Sequence, residues 1–153
     1  NSHSANWCHG STGALLSRID LYNQLKNYKT AIISDDNLQK DIIHSLQDIK
    51  EVGLNLTNFS LCHGVSGNLL SLVHAQNFFD ENNIVNSYDL QKFVRENFCK
   101  MHLYGLQNGW MCNFNTKYDS YALFTGLSGI LYATSLYLKN NIKSDVLLPN
   151  IVF

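Results

Sequence analysis

Two short stretches of this sequence repeat the same words. Trp7-Cys8-His9-Gly10-Ser11-Thr12-Gly13 comes first, and Leu61-Cys62-His63-Gly64-Val65-Ser66-Gly67 follows 54 residues later. Each sets a thiol and an imidazole just before a Gly-x-x-Gly turn that opens an apolar segment. Thiolate and imidazole are the donors zinc favours in tetrahedral sites. Cys8, Cys62 and His63 would supply two sulfurs and one nitrogen, leaving a fourth position for water or substrate, as in catalytic rather than structural zinc sites. Two thiolates cancel the charge of the ion, so such a site tolerates a semi-buried pocket. Helix N–H groups aimed at the thiols should lower their pKa and help keep them ionised. The spacing alone leaves a rival reading open: there is no Cys-x-x-Cys pair, and the cysteines could be buried and unliganded. The duplicated context is what favours the metal.

The elements that must position these residues follow from the hydrophobic pattern. A third Gly-x-x-Gly word runs from Gly126 to Gly129, starting 62 residues after the second. A short word recurring at such periods points to stacked or circular helical units. Each word is followed by an apolar segment: Ala14 to Leu25, Leu69 to Phe79, and Ile130 to Leu138. The last two are apolar almost all round, as expected of helices buried on several sides. Between them lie stripes with one wet face. Leu38, Ile42, Ile43, Leu46 and Ile49 form one, capped by Asp35 or Asp36 and ended by Gly53; Leu90, Phe93, Val94, Phe98 and Met101 form another, with Ser87 as its cap. The order is inner, outer, inner, outer, inner. That alternation predicts an all-α fold, a partial α/α toroid, because three inner helices make only part of a ring. Residues 107–121 do not read as helix and predict a short hairpin or irregular loop. The apolar tail Leu147–Phe153 should pack back on the body. No low-complexity linker divides the 153 residues, so residues 1–153 are read as one domain.

Composition narrows the function classes. A net charge of -1 offers no electrostatic case for nucleic acid or an anionic membrane. No apolar run is long enough to span a bilayer, and no signal peptide opens the sequence. It begins at Asn1 with a motif almost at once, the mark of a piece of a longer protein, and its Asn, Lys and Ile content hints at an AT-rich bacterial genome. Four cysteines in a chain that is neither small nor loop-rich are better read as reduced thiols of a cytosolic protein than as disulfides.

Other residues have plainer readings. His3, His44, His74 and His102 lack patterned neighbours and read as ordinary histidines; Cys99 and Cys112 read as unliganded, and Trp7 as packing beneath the metal loop. The glycine words lack a Walker lysine and a preceding strand, so close helix packing accounts for them better than a phosphate cradle. Asp35-Asp36 and Asp80-Glu81 sit at helix ends, where solvated caps are a simpler role than glycosidase carboxylates.

Taken in order, Trp7-Cys8-His9-Gly10-x-x-Gly13, Cys62-His63-Gly64-x-x-Gly67-Asn68 and Thr125-Gly126-x-x-Gly129-Ile130 resemble the lanthionine synthetase C-like (LanC-like) cyclases. The likeness covers essentially the whole chain, as the C-terminal portion of such a domain. Trp7-Cys8-His9-Gly10, Phe124 to Ile130 and the late Pro149 look more like the cyclase domain of bifunctional class II synthetases (LanM); stand-alone cyclases more often carry tyrosine where His9 stands. The resemblance implies a toroid of seven inner and seven outer helices, a Zn2+ cofactor held by Cys8, Cys62 and His63, and the making of thioether rings in ribosomal peptides, as in lantibiotic biosynthesis. It implies a precursor peptide carrying dehydrated Ser or Thr and free Cys as partner, together with the upstream part of the same synthetase. It also implies a bacterial cytoplasmic setting, with membrane association only through a biosynthetic complex. A peptide thiol is mostly protonated at neutral pH and nucleophilic only once deprotonated, which a metal achieves. His9 is the local candidate for returning the proton or orienting the enolate. The family's upstream pocket-lining histidine and aspartate, its dehydratase domain and four of seven toroid repeats have no counterpart in this sequence. Two rivals stand beside the cyclase: a LanC-like module that captures thiols or peptides on zinc without turnover, and a helical repeat with no metal.

Overall fold

A computed structural model describes residues 4–27, 35–84, 89–112 and 120–139. These residues form five α-helices: α1 (Ser11–Asn27), α2 (Asp35–Val52), α3 (Val65–Asn82), α4 (Leu90–Asn108) and α5 (Leu127–Leu138). Helix α3 packs between α1 and α5, while α2 covers α1 and α4 covers α3. The expected alternation is therefore realised as an inner row, α1–α3–α5, backed by two outer helices.

The outer helices bury one stripe each. Leu38, Ile42, Leu46 and Ile49 of α2 lie inside, four or three residues apart. Ile43 falls a third of a turn away and is exposed, which removes it from the expected core stripe. In α4 the buried set is Leu90, Val94, Phe98, Met101 and Gly105, with Phe93 half-buried beneath the Lys50 ammonium, 4.8 Å from the ring centre. The side chain of Asp89 caps α4 by accepting from the Lys92 N–H at 2.9 Å. The expected cap Ser87 lies outside the described residues, as do His3, residues 113–119 of the expected loop and the tail Leu147–Phe153; the loop itself begins later than expected, because residues 107 and 108 still belong to α4. Both Asp35 and Asp36 are already helical, so neither precedes α2.

Inner helix α3 is buried over nearly its whole first two turns, as its composition requires. Helix α5 departs from expectation. Gly129, Ile130 and Ala133 are buried against α3, but Leu131 and Leu138 are 68% and 74% exposed. The reason is position: among the described residues, α5 lies at the end of the inner row, packed on α3 and touching α4, where Tyr137 stacks on Phe98 at 4.2 Å and His102 Nε2 meets Thr134 Oγ1 at 3.1 Å.

The three glycine words share one backbone design. In each, the N–H after the first glycine donates to the carbonyl seven residues earlier: Ser11 to Ser4, Val65 to Asn58 and Leu127 to Ser120, at 3.0, 2.9 and 2.8 Å. The preceding loop thus folds flat over the first turn of its own helix. A Cβ at Gly10, Gly64 or Gly126 would run into the same carbonyls of Ser4, Asn58 and Ser120, and one at Gly67 would strike the Leu61 carbonyl. Close approach is the use of these glycines, as expected, but between a loop and its own helix rather than mainly between helices. Gly109 serves differently: at φ +89 it reverses the chain after α4, so that Trp110 folds back over Gly105.

Candidate metal centre

The loop that carries Cys62 and His63 is anchored on both sides. Phe59 and Leu61 are fully buried, each worth about 1.5–3 kcal/mol relative to exposure. The Asn58 side chain accepts from the Ser60 N–H at 2.8 Å, and the Ser60 hydroxyl accepts from the His63 N–H at 3.3 Å. Both backbone groups of Cys62 are used: its N–H donates to Phe124 O at 2.9 Å, and its carbonyl accepts from Trp7 N–H at 3.0 Å. The three loops are thereby laced together, with the Trp7 ring stacked on Phe124 at 5.4 Å. Trp7 packs on the third loop, close to the role expected for it.

This lacing brings Cys8, Cys62 and His63 to one point. Their ligand atoms all lie within 4.8 Å of one another, and among the described residues this is the one group of three or more Cys, His, Asp or Glu side chains so placed. His63 Nε2 is 3.1 Å from Cys8 Sγ and 3.8 Å from Cys62 Sγ. Donors at the corners of a zinc tetrahedron stand about 3.5–3.8 Å apart. The donor types suit the ion the sequence led one to expect, and the separations bracket these values. In the third loop, Phe124 and Thr125 occupy the places held elsewhere by Cys and His, so it braces the site without contributing a ligand. Cys99 is exposed and Cys112 half-buried, and neither joins the group.

Electrostatics correct one expectation. Burial, and then the neighbouring Cys8 thiol, push the Cys62 thiol up from 9.0 to about 11. The expected lowering by helix N–H groups is not what this sulfur shows: burial comes first among the causes, and the one opposing influence is the Cys8 backbone N–H. A cation bound here would supply the charge that releases the Cys62 proton.

His9 stands at the exposed edge. Its Nδ1 is 3.0 Å from Cys8 Sγ and its Nε2 is 3.3 Å from Asn6 Nδ2. An amide NH2 only donates, so the pattern places the His9 proton on Nδ1, directed at the Cys8 sulfur. The His9 and His63 rings lie 5.7 Å apart. Beside His63 a cleft of about 270 Å³ runs past Ser4, Asn6, Asn55, Thr57 and Asn58 and carries no charged side chain among its lining residues. A larger cleft, about 460 Å³, lies between α3 and α4 near Asp80, Lys92 and Arg95 and includes none of the Cys/His group. Sequence reading assigned no role to Asn6, Asn58 or the buried pair Thr12 and Asn68. The signal for the pair was their place in the glycine words, as polar residues next to apolar segments.

Fold and site together describe a helical inner–outer array that carries a two-thiol, one-imidazole centre on the loops entering its inner helices. A family model for lanthionine synthetase C-like proteins matches residues 1–152, and the chain belongs to that family. A curated relative is the lacticin 481/lactococcin biosynthesis protein LcnDR2 of Lactococcus lactis subsp. lactis, 35% identical over 152 residues. That match covers 97% of this chain but only 16% of the relative's length. No solved structure matches the chain.

Proposed function

We propose that this chain is the metal-binding portion of a lanthipeptide cyclase domain, most like that of a class II bifunctional synthetase. The observation that carries the reading is the meeting of Cys8, Cys62 and His63 within 4.8 Å, drawn from two copies of one loop design. Family membership and the relative's part in lacticin 481/lactococcin biosynthesis support it. Zn2+ held by these three side chains would supply a Lewis acid that makes a peptide cysteine thiol nucleophilic at neutral pH. The reaction is an addition: the S–H bond is lost, an S–C bond forms at the β-carbon of dehydroalanine or dehydrobutyrine, and a proton is delivered to the α-carbon. The protein holds the ligands rigid through the Cys62 backbone bonds and the Trp7–Phe124 stack. His9 is the proton carrier in this scheme, positioned by Asn6. The uncharged, amide-lined cleft beside His63 suits a peptide backbone, whose own groups are neutral donors and acceptors.

The partners are a precursor peptide with dehydrated Ser or Thr and free Cys, and the upstream part of the same synthetase. The setting in this reading is the bacterial cytoplasm, with membrane association only through a biosynthetic complex. No helix among the described residues is long and apolar enough to cross a membrane. The test uses the full-length protein and a dehydrated precursor. Rings remove peptide thiols from alkylation, so mass spectrometry after N-ethylmaleimide counts them. Adducts should disappear with the wild-type protein and persist with Cys62→Ala. Zinc-dependent peptide binding with every thiol still alkylated would instead establish a capture module without turnover, and a wild-type protein free of zinc would remove the metal from the account.

A further inference from the structure

Behind the metal-site loops lies a buried polar chain, and its Ala5, Gly53 and Asn68 also line the cleft beside His63. Thr12, in the first glycine word, is fully buried, and Asn68, just after the second, is 2% exposed. The Thr12 hydroxyl is 2.6 Å from the Ala5 carbonyl and 2.6 Å from Asn68 Oδ1. The Asn68 amide donates to the Gly53 carbonyl at 2.6 Å. Four segments meet here: the loop leading to Cys8, the first turn of α1, the first turn of α3 and the exit of α2. The space is tight, since a Cβ at Gly53 would lie 3.0 Å from both the Ala5 Cβ and Asn68 Nδ2.

We infer that Thr12 and Asn68 are positioning residues that set the separation of Cys8 from the Cys62–His63 pair, and so set the affinity of the centre for its metal. The inference rests on the metal reading above. Ala5 is three residues from Cys8, and Asn68 is five from His63. A bridge from one to the other through a single hydroxyl therefore ties the Cys8 loop to the helix that follows His63, a second link beside the Trp7–Cys62 backbone bond. The hydroxyl has one proton and faces two acceptors. Without it, the Ala5 carbonyl and Asn68 Oδ1, both on buried residues, face each other with no proton between them and repel, and the loops part. An apolar pair could fill the same volume, but nothing apolar gives the loop a defined distance from α3. That accounts for two polar side chains in a stretch where Leu15, Leu16, Leu69 and Leu70 are all core.

The test measures metal binding in the full-length protein by competition with a chromogenic chelator, and ligand geometry by the d–d absorption of the cobalt-substituted form. Thr12→Val should weaken zinc at least tenfold and alter the cobalt spectrum, while Thr12→Ser, which keeps the hydroxyl, should stay within twofold of wild type. Phe98→Leu, in the α4 core, is the control for lost stability and should leave both readings unchanged. If Thr12→Val is not recovered folded, Thr12→Ala carries the same expectation with less crowding. Wild-type affinity and spectrum in Thr12→Val or Thr12→Ala would overturn the inference while leaving the metal centre intact. Equal weakening by Phe98→Leu would also overturn it, by reducing the effect to general destabilisation. A wild-type protein that binds no zinc would overturn the centre itself, and this inference with it.

Discussion

Gly64→Ala tests whether the glycine words exist to seat the ligands. Gly64 follows His63 and has extended backbone angles, φ -133 and ψ -177, which an alanine also adopts, so only the added Cβ matters. That Cβ would lie 2.5 Å from Asn58 O, 2.5 Å from Ser60 N and 2.7 Å from Asn58 Oδ1. Ordinary contact is at about 3.5 Å, so the loop 58–63 must lift on the order of 1 Å. Metal–ligand distances tolerate about 0.2 Å, and Cys62 and His63 ride on that loop. Overpacking of this kind costs about 1–3 kcal/mol. If the loop lifts, the cost falls on metal binding, where it corresponds to a loss of roughly 5- to 150-fold in zinc affinity. Chelator competition on the full-length protein reads this directly, and a thermal melt of the metal-free form shows how much was instead paid in stability. Zinc affinity within twofold of wild type together with an unchanged melting temperature would refute the reasoning.

Further expectations concern the same centre and its surroundings. Because the Cys62 thiol is pushed up to about 11, it is protonated at neutral pH without metal and must lose that proton on binding. Zinc affinity should therefore rise about tenfold per pH unit from this thiol alone, more if other ligands also release protons; an affinity flat from pH 6 to 8 would contradict it. In the metal-free protein the folded thiol holds its proton more tightly than the unfolded one. The stability it lends is present below pH 9.0 and should be lost as the pH rises towards about 11, as denaturation at stepped pH would show. His9→Phe should keep zinc yet slow ring formation by about a hundredfold or more, and single-turnover kinetics at full zinc loading would reveal an unchanged rate if His9 carries no proton. Gly105→Ala places a Cβ 2.6 Å from the Trp110 ring and should destabilise the protein by about 1–3 kcal/mol, checked by melting and by tryptophan emission.

Helix periodicity was legible where burial is one-sided. The α2 and α4 stripes follow from spacing because each helix has one wet face, and a stripe offset by one residue, as at Ile43, is the kind of error such a pattern allows. The exposed leucines of α5 were not legible, because an apolar side chain does not say which neighbour will cover it. The cap of α4 shifted to Asp89 because a short loop offers more than one acceptor, and geometry chooses among them.

The sequence by itself determined the ingredients: two thiols and an imidazole in duplicated words, glycines where only hydrogen fits, and an alternation of fully apolar and striped segments. Tertiary structure alone decided that the words converge, since residues 54 apart meet only when α1 and α3 stand side by side and the Cys62 backbone is laced to Trp7 and Phe124. It also reversed the expected acidity of Cys62, because thiol pKa depends on burial and on neighbouring charge, which are properties of the packed interior. The polar bridge of Thr12 and Asn68 lay beyond the sequence for the same reason: a hydroxyl and an amide acquire partners only once four distant segments have been brought to one point.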